Sequence, residues 1–280
     1  MSASRMMLSR NRRIVEWVGS HGPAWTSRRT LFVYAVVALA CAAAIPAAQA
    51  MQQDRSAANT QQATRLLKQT LAAMGGTAVA GASDLSLSCT MTSYTPQRNT
   101  VYEMRNQYSR PNKIRQTTQF DFGELIVGFD GSVGWVKNPE GVEELPASQR
   151  EEMRSISLWI LYDMLQNIGK KEYTYEYVRS RTENGSNVHE LSVRHRQMKE
   201  PIRILIDDRT KLIVRKIVRR QGAEGLIDVE EILADYRTVQ GVKVPFAITY
   251  QAASVKVGDL IVKEAKFNSG LSPALFQKPK

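Results

Sequence analysis

The chain has 280 residues, and 38 lysines and arginines against 27 acidic residues give it a formal net charge of +11. Hydrophobic residues make up 43% and charged residues 23% of the chain, a composition that excludes a disordered or collagen-like protein. The first 50 residues hold six arginines and one acid, so +5 of the charge lies there and +6 on the remaining 230 residues, which are enough for a substantial core.

The N-terminal segment has the pattern of a secretory signal peptide. An uncharged run of 14 residues, 31–44, follows a basic stretch, and an Ala-Gln-Ala tripeptide ends at Ala50. Small residues at these positions suit signal peptidase, so we predict cleavage between Ala50 and Met51. A helix of this length spans about 21 Å, which is less than the roughly 30 Å of a bilayer core and disfavours a transmembrane anchor. We therefore assign residues 1–50 to a signal peptide with a long basic n-region and residues 51–280 to a single domain.

Two features inside this segment leave the export route open. Residues 27–32, SRRTLF, resemble a twin-arginine motif, which directs a folded protein across the membrane; two ordinary n-region arginines are the alternative. Cys41 follows Ala-Leu-Ala, a poor match to the lipobox of bacterial lipoproteins. We expect an unlipidated periplasmic protein, with an outer-membrane lipoprotein acylated at Cys41 as the alternative.

An amphipathic helix is predicted over residues 60–74. Apolar side chains recur there at helical spacing, and they are Ala63, Leu66, Leu67, Leu71 and Met74. This spacing places them on one stripe of a helix. Thr60 is suited to cap the start, and the Gly75-Gly76 pair is suited to end it.

From about residue 83 the hydrophobic period changes to two, which predicts strands. Alternation is clear over 242–250 and 202–206, and the tyrosines of 173–177 share one face. Turn signals recur at short intervals, namely Asn184-Gly185, Asp207-Asp208, Gln240-Gly241 and Gly258-Asp259. The count is ten or eleven strands joined mostly by hairpins, so we predict a mainly β fold with a few helices and an antiparallel sheet.

One apolar helix interrupts the strands. Residues 148–151 form a capping box, and the composition stays helical as far as Gly169. Within this segment, residues 156–165 are apolar on almost every side, although a helix lying on a sheet surface normally keeps one solvated face. Two interpretations stay open: a core helix packed on two sides, or a lid over an apolar cavity.

The sequence carries few groups suited to catalysis or metal binding. It has no G-x-S-x-G elbow, P-loop or dinucleotide fingerprint, and His189 and His195 lie too far apart on one strand to share a metal. Cys89 sits in an alternating apolar run, which indicates a buried core thiol, and Cys41 lies in the signal segment, so no disulfide framework is predicted. We expect no enzyme activity, no metal and no cofactor.

Two basic strips account for much of the remaining charge. They are residues 194–199, RHRQMK, and residues 215–220, RKIVRR. Nucleic acid is scarce in the periplasm, to which the predicted signal peptide directs the chain. We therefore expect no nucleic-acid partner. An anionic membrane surface or an acidic partner is one interpretation, and solvated strand faces whose long stems cover apolar neighbours are the other.

Three local patterns resemble the LolA/LolB/LppX-like superfamily of outer-membrane lipoprotein-sorting proteins. The first is Gly-Phe-Asp-Gly at 128–131 followed by Gly134-Trp135, and the second runs from Asp-Tyr-Arg at 235–237 through GVKVPF at 241–246. The third is the C-terminal stretch 267–279, with Ala-Leu-Phe at 274–276. Each pattern is structural, and their order covers about residues 60–280.

The resemblance implies an incompletely closed barrel made of a curved antiparallel sheet, with helices covering its concave face. It also implies a periplasmic carrier for lipids or for the acyl chains of lipoproteins, with an envelope sensor or protein-interaction module as the alternative. The carriers contact their lid through an arginine inside the sheet; Arg105 and Arg115 lie in suitable early strands, but no motif assigns the role to either.

On this basis we expect a monomer that binds acyl chains under a helical lid and that also meets a membrane protein of the envelope. The residues expected to line the cavity or the lid are Trp135, Ile156, Trp159, Ile160, Met164 and Leu165.

Overall fold

The structure, a computed structural model, describes residues 52, 54–121, 123–147, 149–150, 153, 159–183, 185–198, 200–222 and 225–280. The predicted signal peptide, the cleavage site at Ala50 and Met51, and Ile156 lie outside the described residues. Contacts within Arg55–Lys280 group this part of the chain as one compact unit.

Thirteen strands form one antiparallel sheet in the described part of the chain. They are β1 (Asp84–Tyr94), β2 (Asn99–Ser109), β3 (Lys113–Phe120), β4 (Gly123–Phe129), β5 (Gly134–Asn138), β6 (Gly141–Glu144), β7 (Tyr173–Glu183), β8 (Ser186–His195), β9 (Ile202–Asp207), β10 (Ile213–Gly222), β11 (Gly225–Val239), β12 (Val242–Ala252) and β13 (Val255–Phe267). The predicted mainly β fold is confirmed. The expected ten or eleven strands were too few, because hairpin strands as short as β5 and β6 give almost no alternation to count.

The strand order shows two meanders joined side by side. Across the sheet the order is β6-β5-β4-β3-β2-β1-β13-β12-β11-β10-β9-β8-β7, so β1 pairs with β13 and the two edge strands are β6 and β7. These edge strands are not neighbours, so the curved sheet is not closed, as predicted.

Helices pack against one face of the sheet, which we call the inner face. They are α1 (residues 54–74), α2 (Thr77–Ala80) and α3 (Trp159–Gln166). Alternating strand residues such as Leu87, Ile204 and Val244 share a buried core with α1 and α3. The opposite face, the outer face, carries the residues that alternate with these. Within the described ranges, no helix has the length and hydropathy needed to cross a bilayer.

Helix α1 keeps the predicted stripe but begins earlier than expected. Ala63, Leu66, Leu67 and Met74 are buried in the core, and Leu71 packs against it. The Thr60 hydroxyl donates to the Ser56 carbonyl four residues earlier, so Thr60 is an interior residue and the expected N-cap was wrong. At the other end, Gly75 approaches the β11–β12 turn so closely that a Cβ would lie 2.3 Å from the Gly241 carbonyl oxygen.

Two turn predictions had opposite outcomes. Gln240 and Gly241 have φ of 49° and 83° and join β11 to β12, as predicted. Gly258 and Asp259, by contrast, lie within β13, and the turn between β12 and β13 is formed by Ala253 and Ser254 at φ 48° and 67°. Gly258 instead makes room for the Met91 side chain of β1, because a Cβ at this position would lie 2.6 Å from Met91 Cε.

Candidate functional site

Helix α3 lies against the inner face with apolar side chains buried around most of its circumference. Of the predicted cavity residues, Trp159, Ile160, Met164 and Leu165 are 3%, 2%, 0% and 1% exposed, and Leu161 and Tyr162 are buried beside them. Six of the eight residues of α3 are therefore buried, in agreement with the all-round apolar pattern of the sequence. The structure brings these four predicted residues together in one core.

Aromatic rings connect α3 to strands on both sides of the β1–β13 pairing. The Trp159 ring stacks near Tyr108 of β2 with 6.5 Å between centroids, and it tilts against Tyr162 at 6.1 Å. Tyr162 in turn meets Phe267 of β13 edge-on at 5.6 Å. These ring contacts fix the position of α3 on the sheet, and they add to the stabilisation from buried apolar area.

A small set of polar contacts anchors the C-terminal half of α3. The Tyr162 hydroxyl donates to the Lys243 carbonyl at 3.1 Å, and the Tyr175 hydroxyl donates to the Met164 carbonyl at 3.0 Å. Gln166 Nε2 donates to the carbonyls of Val79 and Ala82 at 2.6 and 2.9 Å, which ties α3 to α2. Burial raises the pKa of both tyrosines, which keeps their hydroxyls protonated as donors.

The strand surface beneath the helices is mostly apolar, and Asn106, Thr118 and His195 are buried polar residues on the same face. Buried inner-face residues come from both meanders, and they include Leu85, Leu87, Cys89, Leu191, Val193, Ile202, Ile204, Ile206, Val218, Leu233, Val242, Val244, Phe246, Ile248, Leu260 and Val262. The prediction that Cys89 is a core thiol is confirmed: it is 0% exposed, and burial raises its pKa to about 12. This surface offers dispersion and burial, the interactions that an acyl chain needs.

One ion pair interrupts the apolar surface. Lys216 of β10 and Glu231 of β11 are 0% and 2% exposed, and their Nζ and Oε1 atoms lie 2.9 Å apart. Burial lowers the pKa of Lys216 and raises that of Glu231, while their mutual attraction opposes both shifts. The sequence interpretation of strip 215–220 as a solvated face was therefore wrong for Lys216, because strand alternation turns it inward.

Trp135, also predicted to line the cavity, lies on the outer face. It pairs with Gly128 across β4 and β5, and a Cβ on Gly128 would lie 2.2 Å from the Trp135 ring. The indole Nε1 donates to the Phe276 carbonyl at 2.8 Å, and the Arg115 guanidinium lies 5.8 Å from the ring centroid. The first and third family-like patterns thus meet here, where the C-terminal segment packs on the sheet.

The two arginines suggested by the resemblance also lie on the outer face. Arg105 and Arg115 line an outer-face cavity of about 390 Å³ with Glu103 and Glu124, and Arg115 Nη1 donates to the Leu275 carbonyl at 3.0 Å. A second cavity, of about 400 Å³, is lined by outer-face strand residues that include Arg203 and Arg219, together with Asn59 of α1.

His189 and His195 make separate contacts. His189 Nε2 lies 3.0 Å from Asp208 Oδ1, and His195 meets the Tyr173 ring edge-on at 4.8 Å. Among the described residues, no three His, Cys, Asp or Glu side chains are grouped closely enough to hold a metal ion.

These features define the class of fold. It is an open antiparallel sheet whose mostly apolar inner face is covered by helices. No family model and no curated protein matches the sequence. Solved structures do match. A Vibrio parahaemolyticus domain described as an outer membrane lipoprotein-sorting protein has a TM-score of 0.53 at 13% identity, covering 78% of this chain and 97% of that chain.

Two further solved structures agree with the first. A LolA superfamily protein from Nitrosomonas europaea has a TM-score of 0.55 at 12% identity, covering 79% of this chain and 98% of that chain. A DUF1329 family protein from Desulfovibrio piger has a TM-score of 0.54 at 13% identity, with 78% and 97% covered. The chain therefore has the LolA-like fold, as the sequence patterns predicted.

Proposed function

We propose that this protein is an exported carrier that holds the acyl chains of lipids or lipoproteins on its inner face, beneath α3. The observation that carries the proposal is α3 itself, which buries six apolar or aromatic side chains against an apolar sheet in a LolA-like fold. The ligand is then received by lifting or shifting α3, whose place on the inner face an acyl chain takes in part.

The free energies on the two sides of this exchange are similar in size. Each buried CH₂ contributes about 0.8 kcal/mol, so a twelve-carbon chain gains roughly 9 kcal/mol on leaving water. Opposing this are the contacts of α3, namely its apolar packing and the hydrogen bonds of Tyr162, Tyr175 and Gln166. Each of these bonds contributes about 1 kcal/mol net. An acyl chain that replaces the packing of α3 with its own therefore competes on nearly equal terms.

The setting that we propose is the periplasm, reached through a signal peptide cleaved before Met51. The partners are acyl chains and, at the donor or acceptor membrane, an envelope membrane protein; nucleic acid is not a partner, and the carrier is a monomer. We propose binding without catalysis, and the support for this is the sequence, which lacks a nucleophile elbow, a P-loop and a dinucleotide fingerprint.

Native mass spectrometry of protein purified from its own host tests this proposal. The expected result is a mature chain that begins at Met51 and carries bound mass matching one or more acyl lipids, which organic extraction then identifies. A protein that stays empty when its host lipids are offered contradicts the carrier function. A chain that begins at an acylated Cys41 contradicts the soluble carrier and indicates a membrane-anchored acceptor.

A second candidate function is an envelope sensor or interaction module with the same fold. The observation in its favour is that both cavities described above, of about 400 and 390 Å³, lie on the outer face and are lined by charged side chains. A stable protein partner that co-purifies with an otherwise empty protein would favour this candidate over the carrier.

A further inference from the structure

The buried ion pair belongs to a row of polar groups that crosses the inner face. The strand register places Lys216 opposite Glu231 and Glu231 opposite Tyr250, so three neighbouring strands contribute one side chain each. Glu231 acts on the Tyr250 hydroxyl strongly enough to add to the effect of burial in raising its pKa. The row therefore forms one electrostatic unit.

Arg220 adds a second cation to this unit. It lies four residues after Lys216 on β10, hence on the same face of the strand, and its charge acts on Lys216, Glu231 and Tyr250. We call these four residues the inner polar cluster. Lys216, Arg220 and Glu231 together carry one more positive than negative charge.

The surroundings make such a cluster costly for stability alone. Its inner-face neighbours Ile204, Val218, Leu233 and Ile248 are 0–3% exposed. Charges in apolar surroundings lose hydration, and replacement of a buried ion pair by apolar residues is often neutral or stabilising. A cluster of this kind on a ligand-holding face is therefore better suited to recognition than to structure.

An apolar strip of β12 separates the cluster from α3. Tyr250 of the cluster and Lys243, whose carbonyl accepts from Tyr162 of α3, are seven residues apart on β12. At about 3.3 Å per residue they are separated by about 23 Å. Between them the inner face of β12 carries Val244, Phe246 and Ile248. The inner-face side chains of β12 between the cluster and α3 are therefore all apolar.

We propose that the inner polar cluster binds the anionic head group, a phosphate or a carboxylate, of the acyl ligand. The proposal rests on the proposed carrier function and adds the ligand class: acyl chains with a negative head, oriented with the head at Lys216 and Arg220 and the tail along β12 toward α3. Glu231 holds Lys216 in place on the dry inner face through their ion pair.

The test compares three twelve-carbon probes with the full-length mature protein: dodecyl phosphate, dodecanoate and dodecanol. They share one tail and differ in the head, so the first two also distinguish a phosphate source from a carboxylate source. Dissociation constants are measured by isothermal titration calorimetry at neutral pH. We expect at least one anionic probe to bind about tenfold or more tightly than dodecanol.

Two variants locate this preference in the cluster. Arg220→Gln removes one cation, and Lys216→Met with Glu231→Leu replaces the ion pair by apolar side chains of similar size, which preserves the fold. Both are expected to lose most of the anionic preference and to keep dodecanol binding. Arg219→Gln is the matched control, because Arg219 is the next residue on β10, points to the outer face and pairs with Asp228.

Each outcome decides one question. Equal binding of all three probes, or an anionic preference that survives both cluster variants, overturns the head-group site while the carrier function stands. Failure of every probe to bind the wild-type protein overturns the carrier function itself. Loss of the preference in Arg219→Gln as well would show a general effect of net charge and would also overturn the site.

Discussion

The two faces of strands β7 to β11 place their charged side chains in different surroundings. On the inner face, apolar side chains such as Ile204 and Val218 form a dry surface with one ion pair in it. On the outer face, arginines and acids alternate across the strands in an extended network. The comparison teaches that the charge pairs of the outer face keep partly exposed arginines, whereas both members of the Lys216–Glu231 pair are buried.

The outer network centres on Glu190, whose side chain is 2% exposed. Arg179 donates to it at 2.9 Å and Arg203 at 3.2 Å, and Arg181 lies 3.8 Å away. These arginines are 30–55% exposed, so water screens much of their attraction. The inner pair has no such screening. Its desolvation cost and its mutual attraction are therefore both larger.

The largest expected effect is at the inner pair. Lys216→Met leaves the Glu231 carboxylate buried without this cation, so we expect the free energy of unfolding to fall by about 3–5 kcal/mol. The double variant with Glu231→Leu is expected within about 1 kcal/mol of wild type or above it. Urea denaturation followed by circular dichroism measures both. A single variant as stable as the double would contradict a charged pair on this face.

The two tryptophans of the predicted mature chain offer the next comparison, since they lie on opposite faces. Trp159→Ala is expected to weaken binding of a fluorescent fatty-acyl probe by about 1–3 kcal/mol, judged from the area that the ring removes from water. Trp135→Ala, on the outer face, is expected to leave that binding unchanged. A Trp159→Ala protein that binds normally and only melts at lower temperature would make α3 an ordinary core helix and favour the sensor function.

The outer network is expected to give a smaller, pH-dependent effect. Burial disfavours ionised Glu190, but the hydrogen bond and charge of Arg179, with Arg181 and Arg203, outweigh it and hold the pKa of Glu190 below 4.5. Its ionised form thus stabilises the fold above about pH 4.5, and this contribution is lost as the pH falls through the lowered pKa.

We therefore expect Glu190→Gln to cost about 1–2 kcal/mol at pH 7, a figure reduced for the exposure of its partners. Glutamine resembles the protonated acid, so the difference from wild type should shrink steadily below pH 4.5. Urea midpoints measured at several pH values test this. A difference that does not depend on pH would show that Glu190 contributes by packing and not by charge.

The smallest expected effect concerns the anchor of α3. Gln166→Ala removes the bonds to the Val79 and Ala82 carbonyls, and we expect a loss of about 1 kcal/mol in stability. If α3 must move to admit a ligand, the same change should speed acyl exchange and amide hydrogen exchange in α3. Faster hydrogen exchange across the whole sheet, with no difference between α3 and the strands, would contradict this local role.

Local pattern predicted most of the architecture. The stripe of α1, the alternation of β12 and the all-round apolar character of α3 are properties of neighbouring residues, so the sequence shows them directly. The Gly258-Asp259 turn prediction was wrong because this glycine is required by a close contact with Met91 on another strand. No local sequence pattern reveals such a contact.

The candidate site could be predicted only in part. The residues of α3 were found, whereas Trp135 was grouped with them although its partner, the Phe276 carbonyl, is 141 positions away. The inner polar cluster was missed because both faces of β10 read alike: Lys216, Val218 and Arg220 on one side, Arg215, Ile217 and Arg219 on the other. Only the register with β11 shows which set meets Glu231.

The pairing of β1 with β13 has a consequence for the order of assembly. The meanders β1–β6 and β7–β13 are built from sequence neighbours and can form locally, but the seam between them joins distant segments, as in the bond from the Ser83 amide to Asn268 Oδ1 across 185 positions. Asp84 strengthens this seam by accepting from the amides of Ser269 and Gly270. A nascent chain that has not yet delivered β13 therefore has two half-sheets with bare edges. The buried core of the inner face, to which Leu260, Val262 and Phe267 contribute, is therefore incomplete until β13 has emerged.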